Sequence, residues 1–151
     1  MSNRGALWQG LQRYQAALLE LGIHATQWVN GSFVDATRRM PGDVDVLNFC
    51  LETSLQRISE EHMDQAAALL DGGHATKADF GCDTHLVIVY PNDDPRNEDV
   101  LKRVRDWKVL YGTARNYYME NAPAAPERGT KGFVELTIGD PKLCPHVRRI
   151  R

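Results

Sequence analysis

Two aspartates separated by one residue, Asp43 and Asp45, are the side chains of this sequence best suited to chemistry. In an extended strand, successive side chains point to opposite faces, so both carboxylates project from one face while Val44 and Val46 point to the other. Two adjacent carboxylates repel each other unless a positive charge lies between them. A hard divalent cation such as Mg²⁺ accepts carboxylate oxygens and keeps its other positions for water and substrate phosphates. The pair therefore predicts a magnesium site.

A Gly-Ser pair, Gly31-Ser32, lies upstream of these aspartates, and ten residues separate Ser32 from Asp43. Glycine lets the backbone approach a ligand closely, and serine offers a hydroxyl and an N–H to a phosphate. We therefore expect Gly31 and Ser32 to bind a phosphate group. An Asp-x-Asp pair alone also occurs in glycosyltransferases, in calcium loops and on solvated edge strands, so the prediction depends on the combination.

The segment from Trp28 to Phe49 (Trp-Val-Asn-Gly-Ser-Phe-Val … Pro-Gly-Asp-Val-Asp-Val-Leu-Asn-Phe) joins the turn, the spacing, the paired aspartates and an apolar strand. This combination resembles the signature of the nucleotidyltransferase superfamily, which has the DNA polymerase beta-like fold. The resemblance implies that the turn holds the triphosphate of an NTP and that Asp43 and Asp45 bind two Mg²⁺ ions. It also implies a third carboxylate on a neighbouring strand. The whole chain is similar to the small stand-alone prokaryotic members.

Asp83, at the start of the apolar run Asp-Thr-His-Leu-Val-Ile-Val, is our preferred candidate for the third carboxylate. If its strand lies beside that of the aspartate pair, Asp83 would face the pair. The resemblance implies that it would then take the proton from an attacking hydroxyl or help to hold a metal ion. Asp79 is the alternative, four residues earlier and expected in a loop. Both residues are also open to interpretation as solvated turn aspartates.

Displacement at a phosphate also needs fixed positive charge near the transition state. Arg38 and Arg39 lie between the Gly-Ser turn and the aspartate pair, and Lys131 is expected at the end of an element, where loops gather around sites. We expect these three residues to bind the nucleotide. Lys77 and Arg115 are further options, and each of the five is also open to interpretation as an ordinary surface charge.

The leading functional hypothesis is a Mg²⁺-dependent nucleotidyltransferase that uses an NTP. It would transfer an NMP group, most readily AMP, to a hydroxyl of a protein, an RNA end or a small molecule. The resemblance further implies a protein partner, because small prokaryotic members often act as antitoxins beside a toxin, and some transfer AMP to a tyrosine of that toxin. A toxin-antitoxin or phage-defence pair would supply such a partner.

Two other hypotheses belong to different functional classes. The chain could be a non-catalytic binding module of the same fold, an antitoxin or regulatory subunit that acts by protein-protein contact. A metal-dependent nuclease is a third hypothesis, against which the Gly-Ser turn argues, since a nuclease holds no triphosphate. The position of Asp83 separates the enzyme from the binding module.

Composition predicts one globular domain over residues 1–151, with 42% hydrophobic and 25% charged residues, and the resemblance implies that this domain is nucleotidyltransferase-like. The net charge of −2 indicates no strong general binding to nucleic acid. No apolar run approaches the roughly 18 residues of a membrane helix, and the N-terminus lacks a signal core, so no membrane association and a cytoplasmic location are expected. The three widely spaced cysteines argue against a disulfide framework or a structural zinc site.

Hydrophobic periodicity predicts helices over about 6–21, 53–70 and 97–111, and strands over about 26–30, 43–50, 84–90 and 132–138. The strand at 84–90 is apolar on both faces, which is typical of a central strand. The predicted fold class is α/β (α+β), a mixed β-sheet of about four strands with helices packed on it.

Overall fold

The computed structural model of the chain describes residues 3–30, 42–112 and 133–151. Within these ranges the chain forms helices and strands joined by short 3₁₀ turns. In chain order the elements are α1 (Arg4–Glu20), β1 (Ala25–Asn30), β2 (Val44–Leu51), α2 (Glu52–Leu55), α3 (Met63–Leu70), α4 (Lys77–Phe80), β3 (Cys82–Val89), α5 (Asn97–Gly112) and β4 (Val134–Ile138).

The four strands form one mixed sheet in the order β3-β2-β1-β4. Strand β1 pairs antiparallel with both β2 and β4, while β2 pairs parallel with β3. A parallel pair needs a crossover connection, and the helical segment between β2 and β3 supplies it. The predicted fold class, a mixed four-stranded sheet with helices packed on it, is confirmed.

The predicted first and last helices are also confirmed, as α1 and α5. Helix α1 ends where Gly22 takes a positive φ of 76°, which lets the N–H of Ile23 return to the carbonyl of Leu18 at 3.0 Å. Among the helices in the described ranges, none combines the length and the apolar character needed to cross a bilayer.

One face of the sheet is covered by α1 and α3. The apolar stripe of α1 packs against the inward side chains of β2 and against α3; this cluster includes Leu7, Leu11, Tyr14, Leu18, Val44, Val46, Cys50, Ala66 and Leu70. Polar groups inside it satisfy one another. The Asn48 amide donates to the Tyr14 hydroxyl at 2.9 Å and accepts from Gln27 at 2.9 Å, and burial raises the pKa of Tyr14.

The opposite face of the sheet is covered by α5 and the C-terminal segment. Its core cluster contains Trp28, Leu47, Phe49, Val87, Val89, Val100 and Val147. The Trp28 ring contacts the Phe49 ring edge-on at 4.8 Å between centroids. The odd-numbered residues of β2 and β3 point to this face, so the side chains of Asp45 and Asp83 belong to it as well.

The prediction that residues 84–90 form a central strand is wrong, because β3 lies at the edge of the sheet. Its outer backbone is covered by local groups instead of another strand. Thr84 exchanges backbone hydrogen bonds with Gly73, the Leu86 N–H donates to the Asp71 carboxylate at 3.0 Å, and Arg103 donates to the Leu86 carbonyl at 3.2 Å. This cover protects an apolar edge strand that would otherwise pair with other chains.

The prediction of one continuous helix over 53–70 is also wrong. The segment divides into α2, a 3₁₀ turn at Glu60–His62 and α3. Ser59 has extended backbone (φ −63°, ψ 147°), and its hydroxyl contacts the His62 ring at 2.9 Å. A serine followed by acidic residues is a typical helix start, so the chain begins a new helical turn here instead of extending the old one.

Candidate metal centre

The structure brings three aspartates together at one end of the sheet. Asp43 immediately precedes β2, Asp45 is its second residue, and Asp83 is the second residue of β3. Asp45 and Asp83 are register partners in the parallel β2–β3 pair. One carboxylate oxygen from each of the three lies within 4.8 Å of the others. The sheet therefore concentrates three negative charges in one place.

Asp83, and not Asp79, joins the aspartate pair. Asp79 lies in the short helix α4 with its side chain exposed, and its backbone carbonyl accepts a hydrogen bond from Arg13 at 3.3 Å. Position in the parallel ladder explains the difference, because Asp83 is held opposite Asp45 by strand pairing while Asp79 precedes the strand. The metal-binding role of the three carboxylates stays a prediction.

Three basic side chains contact the acidic group. Lys77 Nζ lies 3.5 Å from Asp43 Oδ2, His74 Nδ1 lies 3.3 Å from Asp83 Oδ2, and His85 Nε2 lies 3.3 Å from Asp83 Oδ1. Lysine carries its charge at neutral pH, whereas each histidine contributes charge only when protonated. These contacts offset part of the repulsion among the carboxylates.

Sequence reasoning identified these basic neighbours only in part. Lys77 was one of several candidate cations, and the alternation of β3 places His85 on the face of Asp83. His74 had no signal in the sequence, because it lies in a 3₁₀ turn whose position depends on how the crossover folds back onto β3. The His85 ring also packs against the Trp107 ring of α5, with 5.4 Å between centroids, which limits its orientations.

The donor set fits a hard divalent cation. Asp43 and Asp83 are mostly buried, with 23% and 14% of their side-chain surfaces exposed. Asp83 Oδ1 is inaccessible and has no hydrogen-bond partner, although His85 Nε2 lies 3.3 Å away. A buried carboxylate oxygen in that state is costly unless a cation or a donor satisfies it. Carboxylate oxygens are the ligands that Mg²⁺ and Mn²⁺ prefer.

The electrostatic effect of the acids extends through the sheet. Cys82 lies in the core on the opposite face, and its thiol pKa is raised to about 12. Burial is the largest cause; the charges of Asp43 and Asp45 act in the same direction, and Arg13 acts against them. Cys82 is therefore a neutral core residue at physiological pH.

The predicted nucleotide-binding residues Gly31, Ser32, Arg38, Arg39 and Lys131 lie outside the described residues, as does Arg115. Their roles stay predictions. Asn30, the last residue of β1, pairs with Asp45, so the chain leaves β1 at the acidic end of the sheet.

Comparison with known proteins connects this chain to one family. None of the curated proteins and none of the solved structures matches it. Residues 2–137, most of the chain, match the family DUF6932, which is described as a family of unknown function. The chain therefore belongs to the DUF6932 family.

Proposed function

We propose that this protein is a Mg²⁺-dependent nucleotidyltransferase. It would transfer an NMP group, most readily AMP, from an NTP to a hydroxyl of a protein, an RNA end or a small molecule. The observation that supports this proposal most is the meeting of Asp43, Asp45 and Asp83, whose carboxylate oxygens lie within 4.8 Å of one another. Adjacent parallel strands hold Asp45 and Asp83 in register, so the position of these two relative to each other is set by strand pairing.

In this proposal Asp43, Asp45 and Asp83 hold the metal. Bound Mg²⁺ would supply positive charge that offsets the charge on the triphosphate. The carboxylate of Asp83 would also accept the proton of the acceptor hydroxyl, as a general base held beside the metal site. As the acceptor oxygen bonds to the α-phosphorus, its proton passes to this carboxylate and the bond to pyrophosphate breaks.

The protein's own positive charge would support the same step. Lys77 lies 3.5 Å from Asp43 and remains partly exposed, so its ammonium group is within reach of a phosphate oxygen bound beside the acids. Gly31 and Ser32 would hold the triphosphate, and Arg38, Arg39 and Lys131 would add charge to the nucleotide site. We place this activity in the cytoplasm, with a toxin or another complex subunit as the protein partner.

One observation favours a second candidate function, the non-catalytic binding module. Asp43 and Asp83 already have basic neighbours within 3.5 Å, in Lys77, His74 and His85. Such a charge cluster can stabilise a fold or a contact surface without any metal. In this alternative the protein acts as an antitoxin or regulatory subunit by contact alone.

A labelling experiment separates the two candidates. The full chain is incubated with each α-³²P-labelled NTP, Mg²⁺ and proteins and RNA of a host lysate. Asp45→Asn removes one carboxylate of the group, and Asp79→Asn is the matched control, since Asp79 is exposed and outside it. The enzyme hypothesis expects label with the wild type and Asp79→Asn but not with Asp45→Asn.

Absence of label with every NTP, from folded protein, would refute the transferase and favour the binding module. Digestion of RNA or DNA by the wild type with Mg²⁺ would instead indicate a nuclease. A labelled product identifies both the nucleotide and the class of acceptor.

A further inference from the structure

We propose that Asn30 is a fourth oxygen donor of the acidic site, and that its carboxamide oxygen binds the same cation as the three aspartates. This inference rests on the metal-binding part of the proposed function. It concerns a residue to which neither the Asp-x-Asp pair nor the Gly-Ser pair assigns a role.

The sheet register places Asn30 beside the acids. Asn30 pairs with Asp45 across β1 and β2, and Asp45 pairs with Asp83 across β2 and β3. Directly opposed residues of neighbouring strands project to the same face, with Cβ atoms about 5 Å apart in an antiparallel pair. Asn30, Asp45 and Asp83 therefore form one row across three adjacent strands.

The Asn30 side chain is buried and one of its polar atoms is unsatisfied. Only 4% of the residue is exposed, and Oδ1 has no hydrogen-bond partner. A buried amide oxygen is normally hydrogen-bonded, because burial removes its hydrogen bonds to water and an unpaired oxygen forms none to replace them. A cation held by the neighbouring carboxylates would satisfy it.

The other asparagines buried in the described ranges show the usual state. Asn48 Oδ1 accepts a hydrogen bond from the Gln27 amide at 2.9 Å. Asn97 Oδ1 accepts one from the backbone N–H of Tyr90 at 3.0 Å. Both of these side chains form hydrogen bonds that hold neighbouring parts of the chain together. Among these three buried asparagines, the oxygen without a hydrogen-bond partner belongs to Asn30, which faces the acidic group.

A neutral donor suits this position chemically. Three carboxylates already repel one another, and an amide oxygen adds a ligand without adding a fourth negative charge. Mg²⁺, Mn²⁺ and Ca²⁺ all accept amide carbonyl oxygens together with carboxylates. Asn30 would therefore complete the coordination at a smaller electrostatic cost than aspartate.

Binding of Mn²⁺ alone to the full chain tests the inference, measured by titration calorimetry and by the thermal midpoint with and without the ion. Asn30→Leu keeps the size of the side chain and removes its oxygen. We expect this variant to weaken Mn²⁺ binding at least about tenfold. Its metal-free midpoint should equal or exceed that of the wild type, because an unsatisfied buried group has been removed.

Two further variants keep the test decisive. Asn30→Asp retains an oxygen and adds a charge, so its metal-free midpoint should fall while its midpoint rise on adding Mn²⁺ exceeds that of the wild type. Asn97→Leu removes an equally buried amide whose oxygen is satisfied, so its metal-free midpoint should fall with Mn²⁺ affinity unchanged.

The outcomes distinguish this inference from the proposed function. No Mn²⁺ binding by the wild type would refute the metal site itself and Asn30 with it. Binding that is lost in Asp45→Asn but unchanged in Asn30→Leu would refute the role of Asn30 alone. A metal-free midpoint of Asn30→Leu that falls as far as that of Asn97→Leu would make Asn30 a structural residue and would also overturn the inference. An Asn30→Asp variant whose response to Mn²⁺ equals that of the wild type would do the same.

Discussion

Substituting Asp45 with Asn should reverse the order of stability between wild type and variant when a divalent cation is added. The three carboxylate oxygens lie within 4.8 Å of one another. At that distance two unit charges repel by about 0.9 kcal/mol in water and about 3.5 kcal/mol at an effective dielectric constant of 20. Asp45→Asn removes two such repulsive pairs, which would by itself raise the free energy of unfolding of the metal-free protein by between about 2 and 7 kcal/mol.

The net gain is smaller than this gross figure. Lys77 lies 3.5 Å from Asp43, and its attraction to the acidic group weakens when one carboxylate is neutralised. The acids are also partly solvated, which screens their repulsion. We therefore expect the metal-free variant to be more stable than the wild type by about 1–2 kcal/mol, or about 2–8 °C in midpoint for a chain of this size.

Adding Mn²⁺ or Mg²⁺ should produce the opposite order. A cation at one hundred times its dissociation constant stabilises the folded protein by about 2.7 kcal/mol. The wild type should gain this stability, and Asp45→Asn should gain little of it. Differential scanning calorimetry in EDTA and in excess cation measures both states, with Asp79→Asn as the control that should follow the wild type within about 0.5 kcal/mol.

Two results would refute this reasoning. A metal-free Asp45→Asn variant that is clearly less stable than the wild type would make Asp45 a structural partner whose charge the fold requires. An equal response of both proteins to the cation would show that Asp45 does not bind it. Neither result would be explained by a general effect of the cation on folding, since the Asp79→Asn control reports that effect separately.

Three further predictions concern packing, pH and nucleotide binding. A Cβ at Gly10 would collide with the backbone of Phe80, so Gly10→Ala should lower the free energy of unfolding, measured in urea, by about 1–3 kcal/mol. Gly5 has open space around it, so Gly5→Ala should raise the free energy of unfolding by about 0.5–1 kcal/mol. Burial raises the pKa of the Cys50 thiol from 9.0 to about 12. As the pH rises, the thiol therefore ionises first in the unfolded chain, which favours unfolding. The free energy of unfolding should fall between about pH 9 and 12 by up to about 1.4 kcal/mol per pH unit. Cys50→Ala should remove that part of the slope in urea denaturation at stepped pH, and an unchanged slope would contradict the assignment. Ser32→Ala should weaken NTP binding in calorimetry and leave Mn²⁺ binding nearly unchanged; equal loss of both would refute its phosphate role.

Much of the fold could be predicted from local sequence patterns. The three- and four-residue spacing of Leu7, Leu11, Tyr14, Leu18 and Leu21 predicts the buried stripe of α1; the first four are buried and Leu21 is partly buried. Such patterns are readable because each depends only on the geometry of one helix or one strand. The break before Ser59 was missed, because apolar spacing continues across it although α2 ends at Leu55 and the backbone of Ser59 is extended.

The candidate site shows the same division. Asp43 and Asp45 could be placed on one face from alternation alone, whereas the choice of Asp83 over Asp79 needed to know which strand lies beside β2. Asn30 was not recognised, because a single asparagine before a Gly-Ser pair has no pattern of its own. Its burial and its unpaired oxygen become visible only when β1 pairs with β2.

The sequence by itself determined the types of element, the fold class and the pairing of two carboxylates on one strand face. These depend on backbone geometry over a few residues, which side-chain type strongly biases. Only the tertiary structure decided that β3 lies at the edge, that Asp83 meets the pair, and that His74 contacts it. These depend on hydrogen bonds between segments far apart in the chain, and a strand's own residues do not specify which neighbour it will pair with.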